Sequence, residues 1–173
     1  GKNPEFVKKY YDYLEDEITM LKKIGRIFVS KNRTEAIESL IENKNDLAIL
    51  DDGFQDFTIN KNLSIVCFNQ KQWIGNGFII PSGPLREKLS ALKRAHCVFI
   101  NGKADTRIEN EIYKENKNIE IYYSKYKPLD INKFKNKTII AFSGIGNPTN
   151  FFDLLRENNL LLKEVFYYPD HYN

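Results

Sequence analysis

Short apolar runs alternate with amphipathic stretches along most of this chain. Between Arg26 and Phe68 the order is apolar run, amphipathic stretch, apolar run, which is the pattern of a βαβ unit. Arg26-Ile27-Phe28-Val29-Ser30 predicts the first strand. Ala36, Ile37, Leu40 and Ile41 then recur at helical spacing between Arg33 and Asn43, and Asn32 stands where an N-cap accepts a backbone N–H. Leu47-Ala48-Ile49-Leu50 is apolar throughout, which predicts a strand buried on both faces, like the inner strands of a parallel sheet. Residues 63–68, 97–101, 119–123, 138–142 and 161–167 are further predicted strands. Helices are expected over 87–95, with Leu89, Leu92 and Ala95 on one face, over 107–115, and over 148–158 with its Phe151, Phe152, Leu154 and Leu155. This order predicts an α/β fold, a mostly parallel sheet flanked by helices. The polar, turn-rich stretch 128–137 is the expected joint between a front part, 1–127, and the start of a second α/β part, 128–173.

Composition narrows the function classes. The 173 residues suffice for a domain that buries roughly 70% of its unfolded surface. A formal charge of +3, from 26 basic and 23 acidic side chains, describes a mixed surface and does not imply nucleic acid. The lysines of 114–117 and 125–137, interleaved with Tyr122, Tyr123 and Tyr126, suit an anionic membrane face or an RNA backbone but read first as a solvated surface. Cys67 and Cys97 each sit in an apolar run, are expected to be buried core thiols, and suit a reducing cytoplasm. No run approaches the roughly 18 apolar residues of a membrane span, and no signal peptide opens the chain, so a soluble chain is expected.

Polar groups just past the carboxyl end of a buried strand have the first claim to ligands in an open α/β sheet. Asp51 and Asp52 follow Leu50 there. An adjacent carboxylate pair is Walker-B-like, one Asp holding Mg²⁺ directly or through water and the other orienting its shell, and Gly53 permits a sharp turn. Asp-Asp-Gly is equally a common strand-ending turn. Farther on, Gly75-Asn76-Gly77 and Ser82-Gly83-Pro84-Leu85-Arg86-Glu87 flank a short apolar run. Arg86 offers a guanidinium for phosphate oxygens and Glu87 an acid, although the segment alone reads as a turn and helix start. Ser143-Gly144-Ile145-Gly146-Asn147-Pro148 joins a strand to a helix, an anion-binding geometry, but lacks the Gly-Lys-Thr/Ser ending of a P-loop and the third glycine of a dinucleotide fingerprint. Asp170-His171 near the end is a proton-relay candidate or an inert terminal pair.

Taken in order, the motifs DDGFQ, GPLRE, AFSGIGNP with its following Phe-Phe and Leu, and YPDHY resemble the tetraacyldisaccharide 4'-kinase family of lipid A biosynthesis, from about Glu15 to Asn173. The resemblance implies a P-loop-NTPase-like α/β fold. It also implies ATP-dependent phosphorylation of the 4'-hydroxyl of a tetraacyldisaccharide 1-phosphate, with Mg²⁺, at the cytoplasmic face of the bacterial inner membrane. Asp51 and Asp52 match the family's metal-binding pair. Asp16 matches the aspartate that works with the PDHY histidine, here His171, on the sugar hydroxyl. Glu17, Arg33, Gln55, Arg86 and Glu87 fall on positions used around the phosphates and the substrate. Three departures stand out: Asp56 replaces the family's histidine after DDGFQ, Glu15 replaces a glycine, and no P-loop motif occurs anywhere in the chain. The resemblance therefore implies an internal piece of a longer kinase, expected to be inactive alone. The competing reading is a non-catalytic lipid- or partner-binding α/β module that retains the metal site, and a P-loop upstream of Gly1 distinguishes the two. A receiver-like domain lacks its third Asp after a later central strand.

Overall fold

The structure, a computed structural model, describes residues 15–169, with side chains described from Ile18 onward. The elements run α1 (Glu15–Lys22), α2 (Arg33–Glu42), β1 (Ile65–Asn69), a 3₁₀ helix (Leu89–Arg94), β2 (Cys97–Asn101), α3 (Thr106–Glu115), β3 (Glu120–Ser124), a 3₁₀ turn (Ile131–Phe134), β4 (Thr138–Ser143), α4 (Pro148–Glu157) and β5 (Leu161–Tyr167). The strands form two sheets, β1-β2-β3 and the parallel pair β4-β5. The chain divides into two compact units, Gly1–Ile100 with Ala104–Tyr122, and Asn101–Lys103 with Tyr123–Asn173.

In the first unit, β2 is the middle strand of its sheet and buries Cys97, Val98 and Ile100. Against it pack Leu92 and Ala95 from the 3₁₀ helix and its end, Ile119, and Ile108 and Ile112 of α3. The last two are four residues apart and so share one helical face. Asp105 caps α3 by accepting from Arg107 N at 2.9 Å. Asn116 Nδ2 donates to Leu92 O (3.0 Å) and Ala95 O (3.2 Å), which ties the end of α3 to the end of the 3₁₀ helix. Trp73 lies 4.7 Å from Phe68, ring to ring, and its buried-side N–H finds Glu111 Oε2 at 3.2 Å. The predicted helix after Asn32 forms as α2, with Asn32 Oδ1 accepting from Thr34 N at 2.9 Å.

Three expectations fail here. Residues 26–30 and 47–50 form no strand, and the second run is not buried on both faces: Leu47 is 75% exposed and Ile49 87%. Apolarity marks a run that can be buried, but a strand also needs a neighbour whose N–H and C=O groups pair with its own. Among the described residues neither run has one. The helix expected over 87–95 is a 3₁₀ helix, because Lys88 is extended (φ −63°, ψ 156°) and the bonds span three residues, as in Ala95 N to Leu92 O at 3.0 Å. Cys67 is exposed, while Cys97 is buried and its thiol is pushed up by that burial. β1 lies at the sheet edge with alternating burial, and Cys67 falls on its open side.

The second unit is a compact β-α-β arrangement. β4 and β5 pair from Thr138–Leu161 to Ser143–Tyr167, with an irregularity between Ile139 and Ile140. Pro148 opens α4, a position where its missing N–H has no intrahelical partner to lose. α4 buries Phe152 completely, edge-on to Tyr167 at 4.9 Å. The helix closes at Asn159, left-handed at φ 59°, where Leu160 N bonds back to Leu155 O at 3.2 Å.

Candidate active site

The turn that begins at Asp51 is held from three sides. Asp52 takes a left-handed φ of 53°, which Asp tolerates better than most residues, so the sharp bend lies at Asp52 and not at Gly53. Gly53 is needed for space: a Cβ there would come within 2.7 Å of Leu50 Cβ. Phe54 packs on the core cluster and anchors the turn from beneath. From the first position of α2, Arg33 Nη2 donates to Asp51 O (3.1 Å) and Asp52 O (3.2 Å), while Nη1 reaches Asp56 Oδ2 at 3.3 Å. One guanidinium thus fixes the backbone of both acidic residues, and both remain exposed. Asp56, whose side chain is 14% exposed, also accepts from Thr58 N (2.9 Å) and Thr58 Oγ1 (2.5 Å). These two bonds, followed by Arg33, hold its carboxyl below the usual carboxylate range.

Arg86 arrives on a loop that is tied to itself. Asn76 Nδ2 donates to Ser82 O (2.8 Å) and its Oδ1 accepts from Phe78 N (3.1 Å). Ile80 N to Leu85 O (2.8 Å) and Leu85 N to Phe78 O (3.2 Å) close the loop. Only glycine fits at 83, where a Cβ would lie 2.3 Å from Phe78 O. At the loop's end Arg86 Nη1 pairs with Asp52 Oδ2, side chains that are 57% and 56% exposed, and the contact raises the Arg86 pKa. Glu87 turns away, to Arg94 Nη2, at 2.8 and 2.9 Å from its two oxygens.

Arg33, Asp52, Gln55 and Arg86 line one open cleft of about 600 Å³, together with Asp56, Phe57 and Thr58. Asp51 adjoins it through its carbonyl bond to Arg33, and Glu87 is linked to its edge through Arg94. Asp16 and Glu17 lie in the first turn of α1, but their side chains are outside the described residues, as is all of His171. The turn before α4 belongs to the second unit, and Asn147 makes no side-chain cap there. Sequence reasoning missed Thr58 and Arg94. Asp56-Phe57-Thr58 does carry a usable signal, the Asp that bonds the backbone two residues on, whereas Arg94 lies in no motif.

Among the described residues no group of three or more His, Cys, Asp or Glu is arranged to hold a metal ion. The acidic pair is a two-carboxylate site, which suits Mg²⁺, an ion that keeps several waters and takes one or two carboxylates beside substrate phosphates. With this geometry in place, the sequence profile of the tetraacyldisaccharide-1-P 4'-kinase family matches residues 8–173. The chain belongs to that family. The tetraacyldisaccharide 4'-kinase of Pelagibacter ubique is 44% identical over 170 residues, covering 96% of this chain and 54% of the relative. That of Rickettsia canadensis is 37% identical over 176 residues, covering 99% and 53%. The crystal structure of an "apo" form LpxK from Aquifex aeolicus in complex with ATP matches with a TM-score of 0.52 at 25% identity, over 79% of this chain and 44% of that one. The chain thus spans about half the length of the 4'-kinases it resembles. The family membership and the α/β class, helices flanking mostly parallel sheets, are as the ordered motifs and the apolar pattern predicted.

Proposed function

We propose that this chain supplies the metal-and-phosphate side of an ATP-dependent tetraacyldisaccharide 4'-kinase of lipid A biosynthesis, working peripherally at the cytoplasmic face of the inner membrane. The observation that carries the proposal is the cleft in which a carboxylate of the acidic pair, two guanidinium groups and Gln55 meet. Phosphoryl transfer asks a protein mainly for positioning and for charge placed where the phosphoryl oxygens gather it. Asp51 and Asp52 are the residues that would hold Mg²⁺, which when bound neutralises phosphate oxygens. Arg33 keeps the pair's backbone in register for that task. Arg86 is an exposed cation paired with Asp52 and available to phosphate oxygens, and Gln55 adds an amide to the same wall. In the reaction the 4'-oxygen bonds to the γ-phosphorus as the bond to the β,γ-bridging oxygen breaks and ADP leaves. The family resemblance assigns acceptance of the hydroxyl proton to Asp16 and His171, whose side chains lie outside the described residues. Among the described residues no helix is long and apolar enough to cross a membrane.

The test is direct. The product of the complete reading frame containing these residues is purified and incubated with ATP, Mg²⁺ and tetraacyldisaccharide 1-phosphate in mixed micelles. Mass spectrometry should show the lipid gaining one phosphate on the sugar that bears the 4'-hydroxyl. A folded protein that leaves the lipid unmodified contradicts the proposal.

A further inference from the structure

Arg94 lies outside every motif, yet three groups converge on its guanidinium. Its Cζ sits 4.7 Å from the Phe54 ring centre and 4.9 Å from that of Phe57, and its Nη2 donates to both oxygens of Glu87. The backbone beneath it is fixed. Leu92, two residues earlier, is buried in the core, and Asn116 Nδ2 holds the carbonyls of Leu92 and Ala95 on either side of Arg94. The groups it touches lead straight to the cleft. Phe54 is two residues from Asp52 and rests on the core, Phe57 lines the cleft, and Glu87 directly follows Arg86, the partner of Asp52.

We infer that Arg94 is a positioning residue of the site: one guanidinium fixes Glu87, and with it the root of Arg86, against the aromatic side of the acidic turn. The role needs arginine. A planar cation can lie over rings and still direct N–H groups in its own plane at a carboxylate, whereas an ammonium is a point charge on a flexible stem. The other described side-chain link between the Arg86 loop and the acidic turn, the exposed Arg86–Asp52 pair, is weak by itself.

The kinetic consequence rests on the kinase reading, so the experiment has two arms. In the complete kinase, Arg94→Lys should lower kcat about tenfold or more while the KM for ATP stays within about threefold. In a double-mutant cycle it should add little to the loss caused by Glu87→Gln. A kcat equal to that of the unaltered enzyme, or losses that add in full, overturns the inference. The second arm needs no activity: nitrogen NMR on the same protein, labelled at arginine, should show hindered rotation of the Arg94 guanidinium that Glu87→Gln releases. Free rotation in the unaltered protein overturns the clamp. Hindered rotation in a protein that does not phosphorylate the lipid refutes the kinase reading and leaves the clamp standing.

Discussion

Arg33 and Arg86 address the acidic pair differently: Arg33 holds backbone carbonyls, Arg86 the carboxylate of Asp52. On the proposed reading, Arg86 occupies an oxygen that a metal ion would use, so the two cations would compete in the absence of nucleotide. An exposed pair of this kind contributes roughly 0.2–1 kcal/mol, so Arg86→Met should tighten Mn²⁺ binding by a factor of about 1.4 to 5. Electron paramagnetic resonance titration measures this, and unchanged or weakened binding would show that Asp52 is not the ligand. At position 56 the departure from the family's histidine was visible in the sequence, but its ion pair was not, since Arg33 lies 23 residues away. Asp56 has a depressed folded-state pKa, owed first to its Thr58 bonds. Its contribution to stability is therefore present above the unfolded carboxylate pKa and lost as pH falls through the lower folded one. Thermal unfolding of Asp56→Asn beside the unaltered protein should show a gap at neutral pH that closes only as pH falls below the ordinary carboxylate range. A gap independent of pH would assign the effect to shape rather than charge.

At the scale of elements, α2, α3 and α4 and the strands from β1 onward were legible because their signals are local: Asn32 as a cap, Pro148 at a helix start, apolar runs of strand length. Residues 26–30 and 47–50 were misread because pairing depends on a neighbour that no local pattern specifies. The same distinction governs the site. Asp51, Asp52 and Arg86 announce themselves as motif residues, whereas the hold of Arg33 on two carbonyls and the place of Arg94 between two rings are contacts across the chain. α2 connects the two kinds of information, since its cap residue directly precedes Arg33 and α2 has no buried residue to hold it otherwise. Asn32→Ala should cost about 1 kcal/mol in urea unfolding. It should also loosen Arg33, seen as faster amide exchange at Arg33 and Thr34. An unchanged midpoint would mean that the cap contributes nothing here.

Across the whole molecule, the first unit carries the cleft on a core built from β2, α3 and the 3₁₀ helix, and the second carries its own core around Phe152. The chain belongs to the tetraacyldisaccharide-1-P 4'-kinase family, and the cleft is where the proposed phosphoryl transfer is placed. The claim at the centre is that the acidic pair is the metal corner of a phosphoryl-transfer site. Steady-state kinetics of Asp52→Asn in the complete kinase test it most directly. The account predicts a kcat lower by about a hundredfold or more, with affinity for tetraacyldisaccharide 1-phosphate held within about twofold. A kcat equal to that of the unaltered enzyme would contradict it.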